Sequence, residues 1–74
     1  MSSRVPVIGG RDAAKVFGKF GRAQARQSSS HVILVKDGEF VTLSVPDHRE
    51  VARGTLRSLI RAAGLTVEDF VGKL

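Results

Sequence analysis

The chain has 74 residues, which suffice for one small domain and exclude two independent hydrophobic cores. Hydrophobic residues make up 42% and charged residues 26%, a balance typical of a globular domain and not of a disordered chain. Twelve Lys and Arg against seven Asp and Glu leave a net charge of +5, which favours a polyanionic partner, nucleic acid first. The absence of cysteine excludes disulfides, zinc-thiolate sites and thiol nucleophiles. We therefore expect a single domain over residues 1–74.

Apolar runs are short throughout the chain. The longest, at residues 32–35, is far below the roughly 18 residues that span a bilayer. Residues 1–10 contain no apolar stretch of signal-peptide length before Arg11 and Asp12 introduce charge. We therefore expect a cytoplasmic protein without a membrane partner.

A helix is predicted over residues 11–20, and the Gly9-Gly10 pair is interpreted as its start. Its apolar positions have the three- and four-residue spacing of one buried face. They are Ala13, Val16, Phe17 and Phe20. Asp12 in the first turn and Lys19 in the last complement the helix dipole, and Gly21 suits the position after the helix end. Gly18 inside the helix costs about 1 kcal/mol relative to alanine.

Three strands are predicted next, because the apolar period changes toward two and β-branched residues become common. The strands are Ala23–Gln27, Val32–Lys36 and Phe40–Val45. Asp37-Gly38 is a strong hairpin signal between the second and third strands. The residues of the third strand that share one face are Val41, Leu43 and Val45. One face of the sheet is therefore expected to be covered and the other at least partly open.

Two helices complete the predicted fold. The longer covers residues 54–63 and ends at Gly64. Its apolar residues at helical spacing are Leu56, Leu59, Ile60 and Ala63. A short helix over 67–72 is expected because Thr66 suits an N-cap with Asp69 three residues later. The fold class is α+β, in the order α-β-β-β-α with a short C-terminal helix: a three-stranded antiparallel sheet with both main helices on one face.

Basic residues form a row on each main helix. The first row is Arg11, Lys15, Lys19 and Arg22, and the second is Arg53, Arg57 and Arg61. A single row is ordinarily a solvated helix face, but two uncompensated rows favour contacts with RNA phosphates. An αβββα domain with basic helices has the shape of a double-stranded RNA-binding domain. Base stacking is less favoured, since the chain has no Trp or Tyr and only Phe40 is expected to be exposed on a strand.

The two histidines differ in their predicted surroundings. His31 opens the second strand and is either an exposed bystander or a general acid/base, because imidazole exchanges protons near neutral pH. RNA cleavage needs such a group to take the 2′-hydroxyl proton, together with cations and a proton donor for the leaving oxygen. His48 suits a turn or capping role before the second long helix. With Asp47 and Glu50 the histidines lack the spacing of a metal site, so neither metal nor other cofactor is expected.

Three segments of the chain form a joint pattern. They are RQSSSH at 26–31, VPDHRE at 45–50 and GTLRSLIRAAGL at 54–65. This pattern closely resembles the HicA (YcfA-like) toxin family, and the resemblance covers nearly the whole chain. It implies a double-stranded-RNA-binding-like α-β-β-β-α fold, mRNA cleavage without the ribosome, and neutralisation by a HicB antitoxin encoded beside the toxin. It also implies that His31 is catalytic, because the histidine of the family's Gly-Ser-His motif falls at this position, with Ser30 at the serine.

Two residues depart from the family pattern. Ser29 stands where the family usually has glycine, so a positive φ at this position would strain the loop. Arg22 stands where an aromatic or apolar residue commonly follows the glycine that ends the first helix. The substitution removes a core contact and adds a charge.

The leading hypothesis is a metal-independent endoribonuclease that leaves a 2′,3′-cyclic phosphate on its mRNA substrate. His31 acts on the 2′-hydroxyl or on the leaving oxygen, and His48, a lysine or water performs the second proton transfer. The residues expected to bind RNA are Arg26, Gln27, Ser30, Lys15, Lys19, Arg53, Arg57 and Arg61. The alternatives are a non-catalytic RNA-binding module and a domain that binds only an acidic, antitoxin-like protein.

Overall fold

The computed structural model describes residues 4–74, and within them a three-stranded sheet carries the helices. The elements are α1 Gly10–Gly18, β1 Ala23–Ser28, β2 His31–Val35, β3 Leu43–Pro46, α2 Arg53–Ala62 and α3 Val67–Gly72. The strand order is β1-β2-β3 and both pairs are antiparallel. The predicted α+β class and the α-β-β-β-α order with a short C-terminal helix are confirmed. Residues 1–3 of the single domain predicted over 1–74 lie outside the described residues.

The hydrophobic core lies between one face of the sheet and the helices. Phe17 of α1 and Phe70 of α3 are fully buried, and their ring centroids are 5.0 Å apart. The core residues from α2 and the sheet are Leu56, Ile60, Val32, Leu34, Leu43 and Val45. Since every helix of residues 4–74 adds side chains to this one core, the opposite face of the sheet stays uncovered. None of these helices has the length and apolar character needed to cross a membrane.

The ends of the helices follow the predicted signals with one exception. Thr66 Oγ1 accepts a hydrogen bond from the Asp69 N–H and Asp69 Oδ2 accepts one from the Thr66 N–H, each at 3.0 Å. The predicted capping box of α3 is therefore confirmed. In contrast, α1 ends at Gly18 instead of at residue 20. Phe20 lies in the turn that follows and is half-buried against the core.

The third strand is shorter than predicted. The Glu39 N–H donates to the Lys36 carbonyl at 3.1 Å, so the chain turns at the expected place, but the strand begins only at Leu43. The carbonyl of Val41 accepts instead from the guanidinium of Arg22 at 2.8 Å. Val41 is consequently exposed, and its predicted position on the covered face is wrong. Phe40 is fully exposed in the loop and not on a strand.

A very close backbone contact determines where α1 begins. The buried Gly10 donates its N–H to the carbonyl of His48 at 2.9 Å. A Cβ on Gly10 would lie only 1.8 Å from the carbonyl oxygen of Pro46, so a side chain here displaces backbone. The interpretation of Gly9-Gly10 as the helix start is confirmed, with Gly9 as the N-cap.

We predict that Gly10→Ala lowers the free energy of unfolding by about 3 kcal/mol, because the added methyl group overlaps the Pro46 backbone. Gly18→Ala is the matched control. A Cβ on Gly18 meets nothing within 4 Å and alanine favours the helix, so this variant should be neutral or up to about 1 kcal/mol more stable. Urea unfolding followed by circular dichroism measures both, and equal stabilities of the two variants would contradict the proposed contact.

Candidate functional site

His31 is the first residue of the central strand β2. It lies opposite Ser28 of β1 and Pro46 of β3. Because Val32 is buried in the core, the alternation along the strand places His31 on the uncovered face. The side chain is half-buried, and no other side chain of residues 4–74 forms a hydrogen bond with its ring. The imidazole is therefore open to a ligand at the first position of the central strand.

A β-bulge brings Arg26 to the same face as His31. In the register, Gln24 pairs with Leu34 and Arg26 pairs with Ile33, so β1 contains one extra residue, Ala25. Cross-strand partners share a face, which places Gln24 on the helix side and Arg26 on the uncovered side. In a regular strand, Gln24 and Arg26 would share one face. Nothing in the sequence AQARQS marks the bulge, so sequence reasoning missed it.

The hairpin loop before His31 consists of Ser29 and Ser30. Ser29 has φ 55°, and it is the one non-glycine residue of the described part with positive φ. Positive φ at the first of two loop residues is the position that favours glycine in a type II′ turn. The strain expected from serine in place of glycine is thus present in the backbone, at a cost of about 1 kcal/mol.

Asp47 fixes this loop from the helix side. Its N–H donates to the Ser30 carbonyl at 2.6 Å. Its carboxylate accepts from Gln27 Nε2 at 3.0 Å and from Arg11 Nε at 3.2 Å. One side chain therefore connects β3, β1 and α1 next to the strand position of His31. In the sequence Asp47 stands out only as a metal-ligand candidate, and no local pattern indicates these bonds.

A groove of about 370 Å³ lies between α1 and β1 on the helix side of the sheet. Its polar lining is Arg11, Lys15, Arg22, Gln24 and Gln27, and its apolar lining is Ala14, Val32 and Leu34. Lys15 and Gln27, two of the predicted RNA-binding residues, therefore lie in this groove and on the opposite side of the sheet from Arg26 and His31.

Arg22 does not belong to the exposed basic row, and that prediction is wrong. Its side chain is only 2% exposed, and its guanidinium donates to the Val41 carbonyl at 2.8 Å and to Glu39 Oε1 at 3.0 Å. A buried cation is tolerated when its N–H groups are hydrogen-bonded and a carboxylate neutralises its charge, as here. The stem of Arg22 occupies the position where the resemblance suggested an apolar side chain.

The two basic rows differ in their compensation. In the α1 row Arg11 pairs with Asp47 and Arg22 pairs with Glu39, so the prediction of an uncompensated row is wrong for these two residues. Lys19 Nζ donates to the Lys73 carbonyl at 2.8 Å. The α2 row consists of Arg53, Arg57 and Arg61. All three are exposed, and none forms an ion pair within residues 4–74. The α2 row thus keeps its positive charge available.

His48 lies exposed in the loop that follows β3. Its backbone carbonyl accepts the Gly10 N–H, so it assists the start of α1 and not, as expected, that of the following helix. In the described part of the chain, no three His, Asp or Glu side chains come together as metal ligands.

Comparison with known families gives a match over most of the chain. The family described as HicA toxin of bacterial toxin-antitoxin matches residues 10–65, well over half of the sequence. The matched span contains α1, the three strands, the hairpin loop with His31 and α2. No curated protein and no solved structure matched the chain in the two other comparisons.

We predict that Ser29→Gly raises the free energy of unfolding by about 0.5 kcal/mol, because glycine adopts positive φ without steric cost. Ser30→Gly is the control in the same loop. Ser30 has no positive φ, so glycine there only increases the freedom of the unfolded chain and should lower stability by about 0.5–1 kcal/mol. Thermal unfolding measures the two shifts, and the same sign for both would argue against strain at Ser29.

Proposed function

The chain belongs to the HicA toxin family and is the toxin of a toxin-antitoxin system, and from this premise we propose that it is a ribosome-independent mRNA endoribonuclease with His31 as its catalytic residue. One observation carries the proposal. His31 and Arg26 lie in neighbouring rows of the same uncovered sheet face, where an RNA backbone can reach both. Phosphodiester cleavage by the 2′-hydroxyl requires a proton-transfer group and a cation near the phosphate, and we assign these two roles to His31 and Arg26.

The proposed reaction transfers the phosphoryl group from O5′ to O2′. His31 takes the proton of the 2′-hydroxyl, O2′ forms a bond to phosphorus, and the bond from phosphorus to O5′ breaks. The products are a 2′,3′-cyclic phosphate and a 5′-hydroxyl end. The guanidinium of Arg26 stabilises the negative charge that grows on the non-bridging oxygens, so this chemistry requires no metal ion.

A second group must protonate the leaving O5′. His48 is the proposed donor, because it follows Pro46, the register partner of His31, by two residues and is exposed. A lysine side chain or a water molecule is the alternative. Loss of cleavage in a His48→Ala variant that still binds RNA would favour the histidine.

The α2 row formed by Arg53, Arg57 and Arg61 supports binding of a long polyanion. Its charges are exposed, and α2 packs on the covered side of the sheet, opposite the face that carries His31, so they attract RNA phosphates without taking part in the chemistry. Ser30 in the hairpin loop and Lys19, directly after α1, are further proposed contacts to the RNA backbone. Because mRNA is the substrate, the cytoplasm is the proposed site of action.

A cognate antitoxin follows from membership of the family. We propose that it is HicB-like and that its acidic groups cover the uncovered sheet face together with the α2 row. Such a partner would compete with RNA for the same cations. The inhibition would therefore need no change in the structure of the toxin.

A non-catalytic RNA-binding module is the second candidate. The observation that favours it is the absence, within residues 4–74, of a carboxylate bonded to the His31 ring, because catalytic histidines are commonly oriented by such a group. Both candidates use the same basic surface, so binding alone does not separate them.

We predict that the protein cleaves a structured mRNA in EDTA and leaves 2′,3′-cyclic phosphate ends, and that His31→Ala slows cleavage about 10³-fold. Removal of the general base should leave RNA binding within about two-fold, because the α2 row supplies the phosphate contacts. Mapping of fragment ends and gel-shift titration measure the two effects. Cleavage by His31→Ala at the wild-type rate would refute the catalytic role of His31. If the wild type binds RNA but does not cleave it, the protein is instead the non-catalytic RNA-binding module.

A further inference from the structure

We propose that the groove between α1 and β1 is a binding site for one nucleotide of a single RNA strand, which passes over the edge of β1 to reach His31. The path of the strand rests on the proposed function, whereas the nucleotide site rests on the groove alone. The groove lies on the helix side of the sheet and is separate from the face that carries His31.

The size and floor of the groove suit a nucleobase. Its volume of about 370 Å³ falls in the range of small-molecule sites. Ala14 of α1 and the edges of the buried Val32 and Leu34 of β2 supply an apolar lining, against which part of an aromatic base can pack. A free phosphate ion has no apolar surface and would gain nothing from contact with this lining.

Two amide side chains line the groove and can bind the edge of a base. Gln27 donates from Nε2 to Asp47, which fixes its side chain and leaves Oε1 as an acceptor. Gln24 forms no side-chain hydrogen bond within residues 4–74, so both its donor and its acceptor are available. Glutamine amides match the donor and acceptor pairs of base edges. The amides therefore select a base in preference to other flat apolar groups.

The charge balance of the groove fits one phosphate. Arg11 is paired with Asp47 and Arg22 is paired with Glu39. Lys15 is the remaining lining cation, and it has no ion-pair partner in the described residues. The uncompensated charge of Lys15 matches one phosphate. The apolar lining and the two amides match one base. Together they match one nucleotide.

The strand order connects this groove with His31. β1 is an edge strand, so within residues 4–74 no further strand pairs with its outer side. Gln27 points to the groove opposite Val32, while its neighbour Ser28 lies opposite His31 on the other face. An RNA strand that bends around this edge reaches both sites, whereas a rigid duplex cannot. The groove therefore selects single-stranded segments as the substrate.

The direct test is an NMR titration of the full chain with AMP, GMP, CMP, UMP and, separately, inorganic phosphate. We expect at least one nucleotide to shift the side-chain amide signals of Gln24 and Gln27, and phosphate to shift neither. Gln24→Leu, which removes the amide but keeps an uncharged side chain, and Lys15→Ala should each weaken nucleotide binding about five-fold. Lys73→Ala removes a lysine outside the groove and should leave the affinity unchanged. Equal affinity for phosphate, or unaltered binding by both groove variants, would overturn the nucleotide site.

The second measurement separates this site from the proposed catalysis. In cleavage of a single-stranded RNA, Gln24→Leu should raise KM with little change in kcat, because the groove holds substrate away from the reacting bond. His31→Ala should slow cleavage about 10³-fold and keep the nucleotide-induced amide shifts. If the wild type does not cleave but nucleotides still shift the amides, the ribonuclease proposal fails and the groove site stands. If Gln24→Leu and Lys15→Ala both cleave RNA with an unchanged KM, the RNA substrate does not pass through the groove.

Discussion

The backbone contact between Gly10 and Pro46 is the constraint from which the surroundings of the site follow. Because α1 begins directly against the end of β3, Arg11 in its first turn lies within reach of Asp47. The same carboxylate then accepts from Gln27, and the Asp47 N–H holds the Ser30 carbonyl. The position of the loop that precedes His31 thus depends on a close backbone contact, which is possible because Gly10 has no side chain. A residue with a side chain at position 10 would disturb all of these bonds together.

The edge strand β1 presents different polar side chains on its two faces. Its bulge at Ala25 directs Arg26 to the uncovered face and Gln24 to the groove, although the two are separated by a single residue in the sequence. Bulges of this kind change the direction of a side chain, and they bend the strand that contains them. The positive charge is divided accordingly. Arg26 lies beside His31, Lys15 lies in the groove, and the α2 row forms a third, exposed surface.

Arg22 illustrates how a departure from the family pattern is accommodated. The helical spacing that assigns it to the exposed row applies only while the helix continues, and α1 ends at Gly18. Beyond that point the chain turns, and Arg22 enters the space between α1 and the loop after β2. Its guanidinium then binds Val41 and Glu39, which holds residues 39–41 away from the strand ladder and shortens β3. A single buried side chain is therefore part of the core and also bonds to residues that precede β3.

The sequence by itself determined the order of elements, the capping box of α3, the apolar faces of α1 and α2 and the family, because periodicity, caps and short motifs are local properties. It also singled out His31 and foresaw the strain at Ser29. The bulge at Ala25, the burial of Arg22, the bonds of Asp47 and the groove were decided only by the tertiary structure. Each of these depends on which residues of distant segments meet, such as Gly10 with Pro46 or Arg22 with Val41. No local pattern encodes such a meeting, since it results from the packing of the whole core.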